Sequence, residues 1–67
     1  MADAWWRGKR LQRARRQRGL SQAALGRKVG VHVMTISRLE RGERQPSMAL
    51  LQRLAKALGV PVSRLLA

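Results

Sequence analysis

Cysteine is absent from this 67-residue chain, and acidic residues are nearly absent. Without cysteine there is no disulfide and no cysteine-ligated zinc, and an intracellular setting is expected. One histidine, His32, and three acids, Asp3, Glu40 and Glu43, are too few for a metal site. No cofactor is expected. No apolar run approaches the length of a membrane span, and Met1 to Arg10 lacks the long apolar stretch of a signal peptide, so the expected location is the cytoplasm. There is no glycine-rich phosphate loop, no pair of nearby carboxylates beyond Glu40 and Glu43, and no nucleophile–base set. An enzyme is not expected. A chain this short makes one small domain, with marginal stability unless it dimerises.

What the chain has in excess is positive charge. Fifteen Lys and Arg, twelve of them Arg, give a formal net charge of +12. Arginine can fork onto phosphate or guanine, where lysine is a point charge, and such an excess attracts polyanions. Nucleic acid is the leading reading. Charge alone would also suit a membrane-surface peptide, a GC-rich genome or thermal adaptation.

Breaks at Gly19, Gly30, Gly42–Pro46 and Gly59–Pro61 divide the chain into helix-length pieces rich in Ala, Leu, Arg, Gln and Lys. Period-two alternation is absent, so the fold class is all-α, a compact domain of about five helices. The first helix is predicted from Trp5 or Trp6 to Arg18, with Leu11 and Ala14 inward and both tryptophans capping the core. The second starts after an N-cap at Ser21 and runs from Gln22 to Lys28. The third spans Val33 to Arg41, with Ile36 and Leu39 inward and Val33, Met34, Ser37, Arg38 and Arg41 outward. The fourth follows Pro46 with a cap at Ser47. Its core stripe is Met48, Leu51, Leu54, Ala55 and Leu58, and Leu50 is expected off the stripe and partly exposed. A short fifth helix is predicted over Val62 to Leu66.

From Gln22 to Arg41 the pattern is that of two short helices crossing through a tight turn. Gly26 allows close approach, Gly30 takes the positive φ of the turn, and Leu25, Val29, Ile36 and Leu39 fix the crossing. Six positions at the right spacing in a +12 chain are a specific signal. The stretch from Leu11 to Leu66, with its pieces GLSQ, TISRLERG, PS and LAKALGV, resembles the lambdoid-phage repressor and Cro-like (XRE-type) helix-turn-helix domains. Residues 1–10 remain as an N-terminal extension and the start of the first helix. Residues 11–66 form the DNA-binding domain, with the helix-turn-helix at 22–41.

The resemblance implies a five-helix domain whose third helix enters the major groove of double-stranded DNA. By position it implies base contacts from Val33, Met34, Thr35 and Arg38. It implies phosphate contacts from Gln22, His32, Ser37, Arg41 and Arg44. It also implies a salt bridge from Arg15 to Glu40, which would neutralise an acid otherwise repelled by phosphate. Arg38 can donate bidentately to guanine, whereas Val33 and Met34 could only pack on a thymine methyl. His32 stands where relatives often place a Ser or Thr cap, so a weakened cap is expected there. Pro61 is tolerable near a helix start. A homodimer on a pseudo-palindromic operator is expected, with its interface at Val60, Val62, Leu65 and Leu66. The function implied is a sequence-specific, nucleoid-associated transcriptional regulator. An antitoxin that binds DNA, or a non-specific architectural protein, is the alternative. No membrane partner and no small-molecule ligand are expected.

Overall fold

The computed structural model of the chain describes residues 5–66; the first four residues of the expected extension lie outside the described residues. It consists of four α-helices and a closing 3₁₀ turn: α1 Gly8–Gln17, α2 Gln22–Val29, α3 Val33–Glu40, α4 Met48–Leu58, then Val62–Leu65. Among the described residues there is no strand, only an isolated antiparallel bridge between Trp6 and Leu66. Serine caps start two of the helices: Ser21 Oγ accepts from the Ala24 N–H at 3.0 Å and Ser47 Oγ from the Leu50 N–H at 3.1 Å.

Helix α2 is the centre of the packing, with α3 on one side and α4 on another, while α1 packs on α3 and on the 3₁₀ turn. Leu11, Leu25, Ile36, Leu39, Leu51, Leu54, Leu58 and Leu65 are fully buried between them. This brings leucines from every element into one core, the condition for a chain this short to hold its fold.

Four expectations need correction. The fifth helix is a single 3₁₀ turn of four residues, because the chain leaves Pro61 extended and becomes extended again at Leu66, where it pairs with Trp6. Leu50 is buried, 7% exposed, whereas Met48 is 64% exposed. Helical side chains lean towards the N-terminus, so Met48, as the first helical residue, projects past the end of the core. The inward face is instead Leu50, Leu51, Leu54, Ala55 and Leu58. Trp6 is a core residue but Trp5 is 40% exposed. Helix α1 begins only at Gly8, since Trp6 is held in the bridge to Leu66.

The segment before α1 is thus part of the domain. The Trp6 indole N–H donates to the Leu39 carbonyl at 3.0 Å, satisfying an acceptor at the end of α3. Gly8 lies so close to the end of α3 that a Cβ there would overlap the Leu39 and Glu40 carbonyl oxygens. Both atoms are backbone and cannot swing aside. We expect Gly8→Ala to cost about 1–3 kcal/mol or more, read as a fall in Tm of roughly 5–20 °C in a thermal melt. A melt within a degree or two of the parent would show that α1 can shift away from α3 freely.

Candidate nucleic-acid interface

The turn between α2 and α3 is set by backbone geometry. Gly30 caps α2 at φ 78°, and the Val31 N–H returns to the Gly26 carbonyl at 2.9 Å. A Cβ on Gly26 would stand 2.7 Å from the Val31 carbonyl oxygen, so the close approach expected at Gly26 is to the turn itself. His32 then caps α3: its Nδ1 accepts from the Met34 N–H at 3.0 Å. The expected weakening of this cap is corrected, because an imidazole nitrogen replaces the hydroxyl. Accepting at Nδ1 places the ring proton on Nε2 and leaves that N–H as a donor.

Ile36 and Leu39 anchor α3, both fully buried. The side away from them carries Met34, 45% exposed, together with exposed His32, Arg38 and Arg41; Val33, Thr35 and Ser37 are half-buried. Arg44 is exposed in the loop that follows. The helix therefore offers a thioether in its first turn and a cation in its last, with the hydroxyls of Thr35 and Ser37 between them in sequence.

Glu40 joins three helices. Its Oε2 accepts from Arg15 Nε at 2.6 Å, and its Oε1 accepts from Arg15 Nη2 at 3.2 Å, Gln22 Nε2 at 3.0 Å and Gln12 Nε2 at 3.4 Å. Arg15 also donates through Nη1 to the Leu20 carbonyl at 2.8 Å. Both charged side chains are buried, and among the described residues no buried side-chain polar atom lacks a partner. One N–H of the Gln22 amide is thus engaged inwards, leaving its second N–H for a phosphate.

Ser37 and Arg41 meet each other. The Arg41 guanidinium donates to Ser37 Oγ and forks onto Glu43, Nε to Oε2 at 2.8 Å and Nη2 to Oε1 at 3.1 Å. Glu43 is the residue that reasoning from sequence missed. Its signal was available, a lone acid in the basic stretch after the third helix. Hydrogen bonds from Arg41, reinforced by the charges of Arg41 and Arg38, hold the Glu43 carboxyl below the ordinary carboxylate range. The depressed pKa means that the pair is intact at neutral pH and is lost only as pH falls through it. Both partners are half exposed, so this is a local restraint on Arg41 and not a support of the fold.

Of the residues expected at a dimer surface, Val60, Val62 and Leu66 are partly buried against the core. Leu65 is fully buried within the monomer and has no side chain to offer a partner.

Residues 11–65 match the model of the helix-turn-helix family. The chain belongs to that family. Among solved structures, this helix-turn-helix chain is similar to the restriction-modification controller protein C.AhdI of Aeromonas hydrophila, with TM-score 0.86 and 34% identity over 97% of this chain and 98% of that one. It is also similar to the P22 c2 repressor in its complex with a synthetic operator, with TM-score 0.84 and 41% identity over 88% and 89% of the two chains. A relative described as an uncharacterized HTH-type transcriptional regulator, from Methanothermobacter thermautotrophicus, is 47% identical over 45 residues; the match spans 67% of this chain and 65% of that protein's length. The helix-turn-helix is of the XRE, phage-repressor type. The family match begins at residue 11, so it leaves out Trp6 and Gly8, two residues that fix the end of α3.

Proposed function

We propose that the protein is a sequence-specific transcriptional regulator that binds double-stranded DNA as a homodimer on a pseudo-palindromic operator, with α3 in the major groove. The observation that carries the reading is the seating of α3: Ile36, Leu39 and Glu40 hold one side rigidly, and the opposite side presents Met34 and Arg38 to solvent. The likeness to the P22 c2 repressor supports it. Val33, Met34, Thr35 and Arg38 are the proposed base contacts. Gln22, His32, Ser37, Arg41 and Arg44 are the proposed phosphate contacts. The dimer surface is proposed around Val60, Val62 and Leu66. Regulation would follow from occupying DNA beside a promoter, where the dimer blocks polymerase or recruits it.

Selection from a random duplex library tests the reading. Enrichment of a two-fold symmetric site, with half-sites about one DNA turn apart, is expected. About six neutralised phosphates per dimer should give log K a slope near −5 against log salt. Binding without enrichment, or a flat salt response, would overturn the proposal.

Glu43 bears on the phosphate contacts. Freed from it, Arg41 would turn fully to the DNA backbone, and one repulsive charge would leave the interface. Glu43→Gln is expected to bind DNA roughly three- to tenfold more tightly at low salt and to steepen the salt slope by about one per subunit. The gain should be similar for operator and unrelated DNA. Weaker binding in a fluorescence-anisotropy titration would mean that Glu43 positions Arg41 for its contact and does not compete with it.

A further inference from the structure

A second basic surface lies outside α3 and the loop after it. Arg18, at the end of α1, Lys28, in the last turn of α2, and Arg53 and Lys56, three residues apart on α4, line a shallow groove of about 520 Å3 with Ala57 at its edge. All four cations are exposed. The groove is built where three helices end, and the guanidinium groups lie along its walls. Arg53 Nη1 is 3.8 Å from where a Cβ on the α2 cap Gly30 would stand, and Arg18 Nη1 is 3.4 Å from the same point on the α4 cap Gly59.

Part of this arrangement is structural, since cations near helix C-termini offset the carbonyl ends of the dipoles. The dipoles offset only part of the charge, and the rest faces solvent. Three helix ends contribute roughly −1.5 in all, against four formal positive charges. The described carboxylates do not supply the difference: Glu40 is buried against Arg15, and Glu43 is paired with Arg41 beyond α3. The groove borders the proposed DNA face, since Lys28 and Gly30 precede His32 in the turn, but none of the proposed DNA-contact residues lines it. Gln22 meets Glu40 at the N-terminal end of α2, whereas Lys28 and Gly30 lie at its other end. Helix α4 packs on α2 and on the 3₁₀ turn, and no residue of α3 lines the groove.

We propose that this groove binds the phosphate backbone of a second DNA segment, so that the protein bridges two duplexes or two parts of one. Four exposed cations lining one groove, with no carboxylate among them, suit a run of phosphodiesters, each a single negative charge spaced along a chain. The proposal goes beyond the reading of α3 and takes from it only that DNA is within the protein's reach.

The test uses one duplex tethered to beads and a second, fluorescent duplex in solution, at about 0.1 M salt. The parent protein is expected to retain the fluorescent duplex on the beads. R53E/K56E should reduce that retention about tenfold or more, while its affinity for a single duplex changes less than about threefold. R53Q/K56Q repeats the comparison if charge reversal alters the circular dichroism or the melt. Equal retention by parent and variants would overturn the proposal, because bridging would then run through the two recognition helices of a dimer. A proportional loss in both assays would overturn it too, by assigning the groove to the first DNA interface. So would a parent that binds one duplex and retains no second, including one whose groove takes up polyglutamate instead. A parent that binds no duplex at all overturns the DNA-binding reading as well, which separates that failure from the others.

Discussion

Glu40→Ala is expected to destabilise the fold by about 3–5 kcal/mol, the cost of leaving a buried charge without its partner. The Glu40 side chain is 2% exposed, and its carboxylate takes hydrogen bonds from Arg15, Gln22 and Gln12. Its removal would strand the guanidinium of Arg15, a buried residue, which would keep only its bond to the Leu20 carbonyl. A domain of this length holds about 3–10 kcal/mol in total, so the variant would lose roughly a third of its stability at the upper end of that range and all of it at the lower end. Arg15→Ala should be comparable, since it leaves the carboxylate with two neutral amides. The informative comparison is the pair replaced together. An apolar pair of similar volume removes both desolvation penalties, the Leu20 carbonyl then loses a donor at about 1 kcal/mol, and the part-buried amides of Gln22 and Gln12 can turn to water. R15L/E40L is therefore expected within about 2 kcal/mol of the parent. Urea titrations read both quantities. Additive losses in the double variant would show that each side chain stabilises the fold through its packing and not through the pair. The same cluster links α1, α2 and α3, so a refolded double variant with weakened DNA binding would assign Glu40 a second role in setting the helix crossing.

The parts of this molecule that were legible in sequence are those fixed by local spacing. Leu25, Val29, Ile36 and Leu39 repeat at helical intervals, and Gly30 stands at φ 78° where the turn demands it. The hidden parts depend on contacts between distant residues. Nothing near Trp6 announces that its indole N–H will meet a carbonyl 33 residues away, nor does anything near Gly8 announce that its missing Cβ makes room for the same helix end. Periodicity also treats every turn of a helix alike. It therefore puts Met48 on the core stripe, although this first helical residue projects past the end of the core, and leaves out Leu50, which is buried. The His32 cap is hidden from a reading that looks for a Ser or Thr hydroxyl there, because Nδ1 can also accept from the Met34 N–H. Leu65, expected at a dimer interface, is the other such position. A single 3₁₀ turn directs it inward and leaves Leu66 to pair with Trp6.

Arg38→Ala is expected to leave stability unchanged within about 0.5 kcal/mol and to relax one symmetric position of the selected operator. Arg38 is exposed on α3, and among the described residues its guanidinium donates to no protein acceptor. Its neighbours Arg41 and Ser37 are tied to each other and to Glu43, so Arg38, in the last turn of the helix, is the cation there with its donors unspent. A bidentate contact to guanine discriminates by about 1–3 kcal/mol, which is roughly 5- to 150-fold at that base pair. In a dimer the loss appears in both half-sites. Arg44→Ala is the matched control, because a phosphate contact carries no sequence information. It should weaken operator and unrelated DNA alike and lower the salt slope by about one per subunit. Repeating the library selection with each variant separates the two roles. A narrowed gap between operator and random DNA for Arg38→Ala alone would assign base reading to Arg38. A uniform loss would instead place Arg38 on the backbone, and the discrimination would then fall to Met34 and Val33, which can pack on a thymine methyl but cannot donate.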